Sequence, residues 1–153
     1  MKVNYYWDET VRENRVDIYC RVRDREMDNL IEFLKEDFCL YGKEGGAMRQ
    51  IYLNEIYYVE VVERRCFAYL ERAVYELDCS LKVFLERYEE RGFWQIGKST
   101  VVNVKRIEKI VPDINMRMHL VMENGEKLIC NRAFKKDFMK RLKEKKEDLH
   151  ENH

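Results

Sequence analysis

Gly92-Phe-Trp-Gln-Ile-Gly-Lys-Ser-Thr-Val-Val-Asn103 is the stretch whose reading decides how this chain folds. It leaves a charged segment at Gly92 and runs apolar through Phe93 and Trp94. It then offers a small basic cluster at Gly97-Lys98-Ser99, returns through Val101-Val102 and stops at Asn103. Two short apolar runs separated by a few small polar residues predict a tight pair of buried strands. Lys98 and Ser99 would then sit on a rigid platform that presents a cation and hydrogen-bond donors to an anion. A solvated turn is the plainer alternative. Asn103 reads as a residue that fixes a turn through backbone bonds, and Phe93 and Trp94 read as core.

Strand signals continue on both sides. Ile56 to Val62 and Cys66 to Leu70 are rich in β-branched and aromatic residues, and Glu63-Arg64-Arg65 between them suits a hairpin tip. Ala73 to Glu76 reads as extended. A helix capped by Asp78 follows, with Leu81, Phe84, Leu85 and Tyr88 inward, and Gly92 is its terminator. Downstream, Ile107 to Val111 is a strand that Pro112 ends. Met116, Met118, Leu120 and Met122 alternate with wetter residues and read as core. Asn124-Gly125 predicts a hairpin, Glu126 to Cys130 returns, and Asn131 caps a last helix that uses Phe134, Phe138 and Leu142.

Residues 1–53 read as a small α/β lead-in that packs or dimerises. Val16 to Val22 alternates with period two and predicts a strand. Asp24 is an N-cap for a helix with Met27, Leu30, Ile31, Leu34 and Phe38 on one face. Gly42 to Gly46 reads as a flexible loop, and Met48 to Leu53 as a short strand. The division expected is 1–53 lead-in, 54–143 main domain, and 144–153 a disordered charged tail.

The 153 residues carry 29 Lys/Arg and 29 Asp/Glu, yet the charge is unevenly placed. Residues 1–90 carry a net −6, residues 91–143 a net +8, and residues 144–153 a net −2. A basic block of this size suits a surface that meets phosphate. No apolar run approaches the ~20 residues that cross a bilayer. Five scattered cysteines without a CxxC, and three histidines without ligand spacing, give no metal or cofactor site. Reduced cysteines and a cytoplasmic location are expected.

At this point three segments carry a resemblance. IYYVEVVERRCFAYL (56–70), then FWQIGKSTVVNVKRIEKI (93–110), then MENGEKLICNRAFKKDFMKRL (122–142), in that order, resemble the LytTR DNA-binding domain. This is a bacterial family of transcription regulators whose members mostly follow a receiver domain. The likeness covers about Leu53 to Leu142. It implies an α+β, mainly β fold, an elongated β-β-β sandwich of small antiparallel sheets, whose strand-connecting loops enter major grooves of bent DNA. By position, the DNA-binding residues it implies are Arg64 and Arg65 in the first loop, Lys98 and Ser99 in the second, and Asn131 and Arg132 in the third. Lys105, with Arg106 beside it, would contact the phosphate backbone. The lead-in is too short for a receiver, so the chain resembles the compact, receiver-less regulators.

The function expected is sequence-specific binding of double-stranded DNA by a transcriptional regulator acting as a homodimer, with no enzymatic step. A protein-interaction module whose basic face meets an acidic partner is the alternative. A thiol enzyme using Cys130 beside His119 is a third reading, for which no orienting group is legible.

Overall fold

A computed structural model describes residues 1–35 and 39–151. The chain divides into two compact units, residues 1–37 and residues 38–151.

In the first unit one helix forms, α1 (Arg25–Lys35). It starts where the sequence indicates: the Asp24 carboxylate accepts from the Met27 N–H at 2.9 Å, which satisfies one of the donors that a helix N-terminus leaves open. Phe38, expected on the same face, lies outside the described residues. Val16 to Val22 is not a strand, and Val16, Tyr19 and Val22 are exposed. Period-two alternation makes a strand only where another strand supplies hydrogen bonds, and none pairs with this stretch.

The second unit is built on a seven-stranded antiparallel sheet. Its strands are β1 (Cys39–Glu44), β2 (Ala47–Tyr52), β3 (Tyr58–Val62), β4 (Arg65–Tyr69), β5 (Val74–Leu77), β6 (Phe93–Gly97) and β7 (Thr100–Asn103). The spatial order is β2-β1-β5-β4-β3-β7-β6. A second, three-stranded sheet has the order β10-β9-β8, formed by β8 (Ile107–Pro112), β9 (Met118–Met122) and β10 (Lys127–Cys130). The helices α2 (Leu81–Tyr88) and α3 (Arg132–Glu151) complete the unit. The fold is mainly β with antiparallel sheets, as the sequence indicates. Residues 39–52, read as lead-in, are strands of the large sheet, and α3 continues through residues 144–151, read as a tail.

The glycines of Gly42 to Gly46 mislead the sequence reading. Gly42 lies inside β1 rather than in a loop, because a Cβ there would stand 2.3 Å from Ile51 Cδ1 and 2.5 Å from Tyr75 Cβ. The missing side chain marks a close approach, not flexibility. Only Gly45-Gly46 turns the chain, between Glu44 and Ala47. The cap of α2 is also shifted. Ser80, not Asp78, accepts from the Val83 N–H at 3.2 Å, while Asp78 faces Lys43 Nζ at 3.7 Å. Gly92, read as the terminator of α2, instead ends the separate turn Glu89–Arg91 that follows it, in the left-handed conformation at φ 92°.

Two cores flank the central strands. Val59, Val101 and Phe93 point to one side, where Phe84 of α2 meets Phe93 edge-on at 5.1 Å. Tyr58, Val102 and Trp94 point to the other, against Met118, Leu120 and Met122 of β9 and Phe138 of α3. Trp94 and Phe138 pack edge to face at 5.3 Å. Strands covered on both faces must be apolar at successive positions, which is why the opening stretch lacks the usual alternation. Asn103 is the one buried polar side chain among the described residues, 2% exposed. Its Nδ2 donates to the Ile56 carbonyl at 2.8 Å and its Oδ1 accepts from the Lys105 N–H at 3.1 Å, so both ends of the amide are used.

Candidate nucleic-acid interface

Strand register decides where the basic loops go. β3 runs against β7 with Tyr58 opposite Val102 and Glu60 opposite Thr100. The β3–β4 tip and the β6–β7 turn therefore leave the sheet at the same end, and the Val61 N–H donates to the Ser99 carbonyl at 2.8 Å. The third loop arrives from the other sheet. The Asn131 N–H donates to the Ile96 carbonyl at 2.9 Å, and a Cβ on Gly97 would stand 3.0 Å from Asn131 Nδ2. Gly97 is thus the close-approach residue that lets the start of α3 lie against the β6–β7 turn. All three loops meet at one end of the unit.

The first loop is a two-residue hairpin turn, Glu63-Arg64, with φ of 50° and 66°. Two consecutive left-handed residues make the turn type whose twist matches paired strands, a position that favours Asn-Gly. Non-glycine residues there cost about 1–2 kcal/mol each. The five-rung ladder between β3 and β4 holds them in place.

The cations sort into two groups. Arg64, Lys98 and Arg132 are exposed and make no ion pair or side-chain hydrogen bond among the described residues. Ser99 is exposed beside Lys98. Arg65, by contrast, lies in β4, and its Nε donates to Glu76 Oε1 at 3.1 Å, with Nη2 bonded to Glu76 Oε2. Its guanidinium also lies over the Phe67 ring, 5.3 Å from the centroid. The bond from Arg65 holds the Glu76 carboxyl below its ordinary range. Of the two arginines in the first loop, Arg64 is free and Arg65 is engaged.

Lys105 and Arg106 lie elsewhere. They follow β7, at the end of the β6–β7 pair opposite Lys98, and a four-residue strand spans roughly 13 Å. Arg106 is committed to structure: Nε and Nη2 donate to the Asn54 carbonyl at 2.8 and 2.6 Å, and Nη1 donates to Glu123 at 3.0 Å. Lys105 is exposed and its alkyl chain runs near Gly92. The structure therefore brings together Arg64, Lys98, Ser99, Asn131 and Arg132, with Arg65 behind the tip, and leaves Lys105 apart.

Cys130 and His119 do not form a catalytic pair. Cys130 lies opposite Met118, so its thiol shares the buried face, whereas His119 lies opposite Ile129 on the other face. Burial pushes the Cys130 thiol up to about 11, and His119 Nε2 is bonded to Asp113 at 2.8 Å.

A family model for the LytTr DNA-binding domain matches residues 46–143. The chain belongs to the LytTr DNA-binding domain family. This LytTr chain is 27% identical over 96 residues to the sensory transduction protein LytT of Enterococcus faecalis, which covers 61% of the chain and 40% of that protein. It is 37% identical over 68 residues to the sensory transduction protein LytR of Streptococcus agalactiae, covering 44% of the chain and 28% of that protein. It spans less than half the length of these curated relatives. Among solved structures, the LytTr DNA-binding domain of a Bacillus cereus protein described as a methyl-accepting/DNA response regulator superposes with a TM-score of 0.66 at 22% identity. That match covers 70% of the chain and 98% of the solved domain and concerns the fold.

One feature of this LytTr domain escaped the sequence reading. Pro112 pairs with Met118, and Met118 with Cys130, so the β8–β9 turn lies at the same end of the small sheet as Asn131. The turn carries Ile114, 97% exposed, and Met116 at φ 63°. The Asp113 carboxylate organises it, accepting from the Asn115 N–H at 3.0 Å. Asp113-Ile-Asn115 is a legible turn signal, but its place beside the third loop depends on register. No helix among the described residues is long and apolar enough to cross a membrane.

Proposed function

We propose that this chain is a sequence-specific regulator of transcription that reads duplex DNA with the β3–β4, β6–β7 and β10–α3 loops. The observation that carries the reading is the convergence of three unpaired cations, Arg64, Lys98 and Arg132, at one end of the unit. A cation kept free of carboxylates keeps its full attraction for phosphate or for the acceptors of guanine. Arg132 opens α3, so its guanidinium projects from a regular element and suits bidentate readout, with Asn131 and Ser99 as neighbouring donors. Arg65 supports the tip by holding Glu76, and Lys105, apart from the group, serves a flanking phosphate.

The protein would act as a pair on repeated half-sites, since a few loop residues per copy give little discrimination against a genome of competing sequences. The test is a titration of the full chain against sites selected from a random duplex pool and against scrambled duplex, over a range of salt. DNA binding requires log affinity to fall linearly with log salt at about −0.9 per phosphate contact. Equal affinity for both duplexes would remove sequence specificity from the proposal. No affinity for either at low salt would favour the alternative, an acidic protein partner for the same basic face.

A further inference from the structure

We propose that Cys66 and Cys79 form an oxidisable dithiol, a modification site at which hydrogen peroxide closes a disulfide. The two residues are brought together by the sheet. Cys66 lies on β4 opposite Leu77 of β5, and the chain passes from Leu77 through Asp78 to Cys79 before α2 begins. Cys66 is 4% exposed, and Cys79 is partly exposed and packs against the core that contains Cys66. Cys79 thus follows the cross-strand partner of Cys66 by two residues and shares its core.

The environments divide the labour between them. A hydrogen bond from the Cys66 thiol lowers the Cys79 sulfur below the ordinary thiol range, with help from the Arg87 charge and against burial and the Asp78 charge. Cys79 is therefore the more readily ionised of the two, and the thiolate is the form that attacks. Cys66, which donates in that bond and is buried, is held up as a thiol. A nucleophilic thiolate with a second thiol packed in the same core is the arrangement of an attacking and a resolving cysteine. The other three differ: Cys20 is exposed with no partner thiol, Cys39 accepts from Gln50 Nε2 at 2.8 Å, and Cys130 is buried alone in the other core.

Cys79 thiolate attacks one peroxide oxygen, the O–O bond breaks, and the products are a Cys79 sulfenic acid and hydroxide. The Cys66 sulfur then attacks the sulfenic sulfur, its proton leaves with the departing hydroxyl as water, and the S–S bond forms. Two electrons pass from the pair of sulfurs to the peroxide. The bond sits near the tip of the β3–β4 hairpin, since Cys66 is opposite Val61, two residues before the Glu63-Arg64 turn.

The experiment treats the reduced full chain with hydrogen peroxide at neutral pH, blocks free thiols, and maps the peptides by mass. A 66–79 disulfide that reverses with dithiothreitol is expected, formed at least tenfold faster than any bond involving Cys20, Cys39 or Cys130. Cys66→Ser should leave a sulfenic acid on Cys79 that dimedone labels, and Cys79→Ser should leave Cys66 reduced. The mapping of the unsubstituted chain decides the matter even if a variant fails to fold. Recovery of Cys66 and Cys79 as free thiols while Cys20 or Cys39 is oxidised would overturn the proposal, as would dimedone labelling of Cys66 in the Cys79→Ser chain.

Discussion

The main-chain N–H of Asn131 is hydrogen-bonded to the carbonyl of Ile96 at 2.9 Å, across a gap of 35 positions in sequence. That one bond locks the start of the last helix to the edge of the large sheet. It makes the β6–β7 turn and the β10–α3 junction a single surface, in which the Asn131 amide lies where a side chain on Gly97 would stand. Gly97→Ala forces Asn131 to move by a few tenths of an ångström. The expected result is about a tenfold loss of operator affinity (~1.4 kcal/mol) with a much smaller change in the urea midpoint. A loss of stability as large as the loss of affinity would mean that the residue serves the fold and not the surface.

Arg132→Lys should weaken binding to the selected operator by about 1–3 kcal/mol while binding to scrambled duplex changes little, because lysine keeps the charge but not the planar fork. Lys105→Ala should weaken both duplexes alike and flatten the salt slope by about one contact. Paired titrations of each variant check this. If Arg132→Lys lowers both affinities by the same factor, Arg132 is a phosphate contact.

Arg64→Gly should separate strain from function. Glycine takes φ of 66° freely, so the variant should be more stable, by up to about 1 kcal/mol in urea unfolding. Its affinity for duplex DNA should nevertheless fall. A tip variant that is more stable and binds as well as the parent would take Arg64 out of the interface.

Acid should erode the first loop's support. Glu76 has its pKa lowered by the bond from Arg65, so its contribution is present above the ordinary glutamate value of 4.5 and is lost as pH falls through the lowered folded value. Asp113 behaves likewise, its carboxylate stabilised first by the Asn115 N–H and then by His119. Urea midpoints measured from pH 6 to pH 3 should fall below about pH 4.5, and Glu76→Gln should make that fall shallower. An unchanged acid limb in Glu76→Gln would show that the pair adds nothing measurable.

Phe138 ties α3 to the sheet through Trp94, with 1% of its surface exposed. Phe138→Ala should cost about 3–5 kcal/mol of unfolding free energy. Thermal and urea unfolding measure it directly. A loss below about 1 kcal/mol would mean that the cavity collapses at little cost.

The sequence revealed the order of elements from β3 to α3, because each is bounded by a turn or cap whose chemistry is local. Glu63-Arg64, Asn124-Gly125 and Pro112 all punctuate the chain as read. It misjudged what depends on neighbours distant in sequence. Gly42 looked like a loop because the side chains it makes room for, Ile51 and Tyr75, are 9 and 33 positions away. Val16 to Val22 looked like a strand because alternation does not say whether a partner exists. The basic loops were legible as basic and as loops. That Arg65 is held by Glu76 while Arg64 is free, and that Lys105 faces the other end, follows from register, which composition does not encode.

Arg64, Lys98 and Arg132 stand 34 positions apart, each from the next. None is near another until the intervening chain has closed two loops of equal length, each at a similar entropic cost. The surface is therefore an outcome of folding the whole unit rather than a property of any fragment. In kinetic terms, if this surface binds DNA as proposed, affinity cannot appear before the contacts at Asn131 have formed. A folding experiment followed by DNA binding and one followed by burial of Trp94 should return the same slow phase.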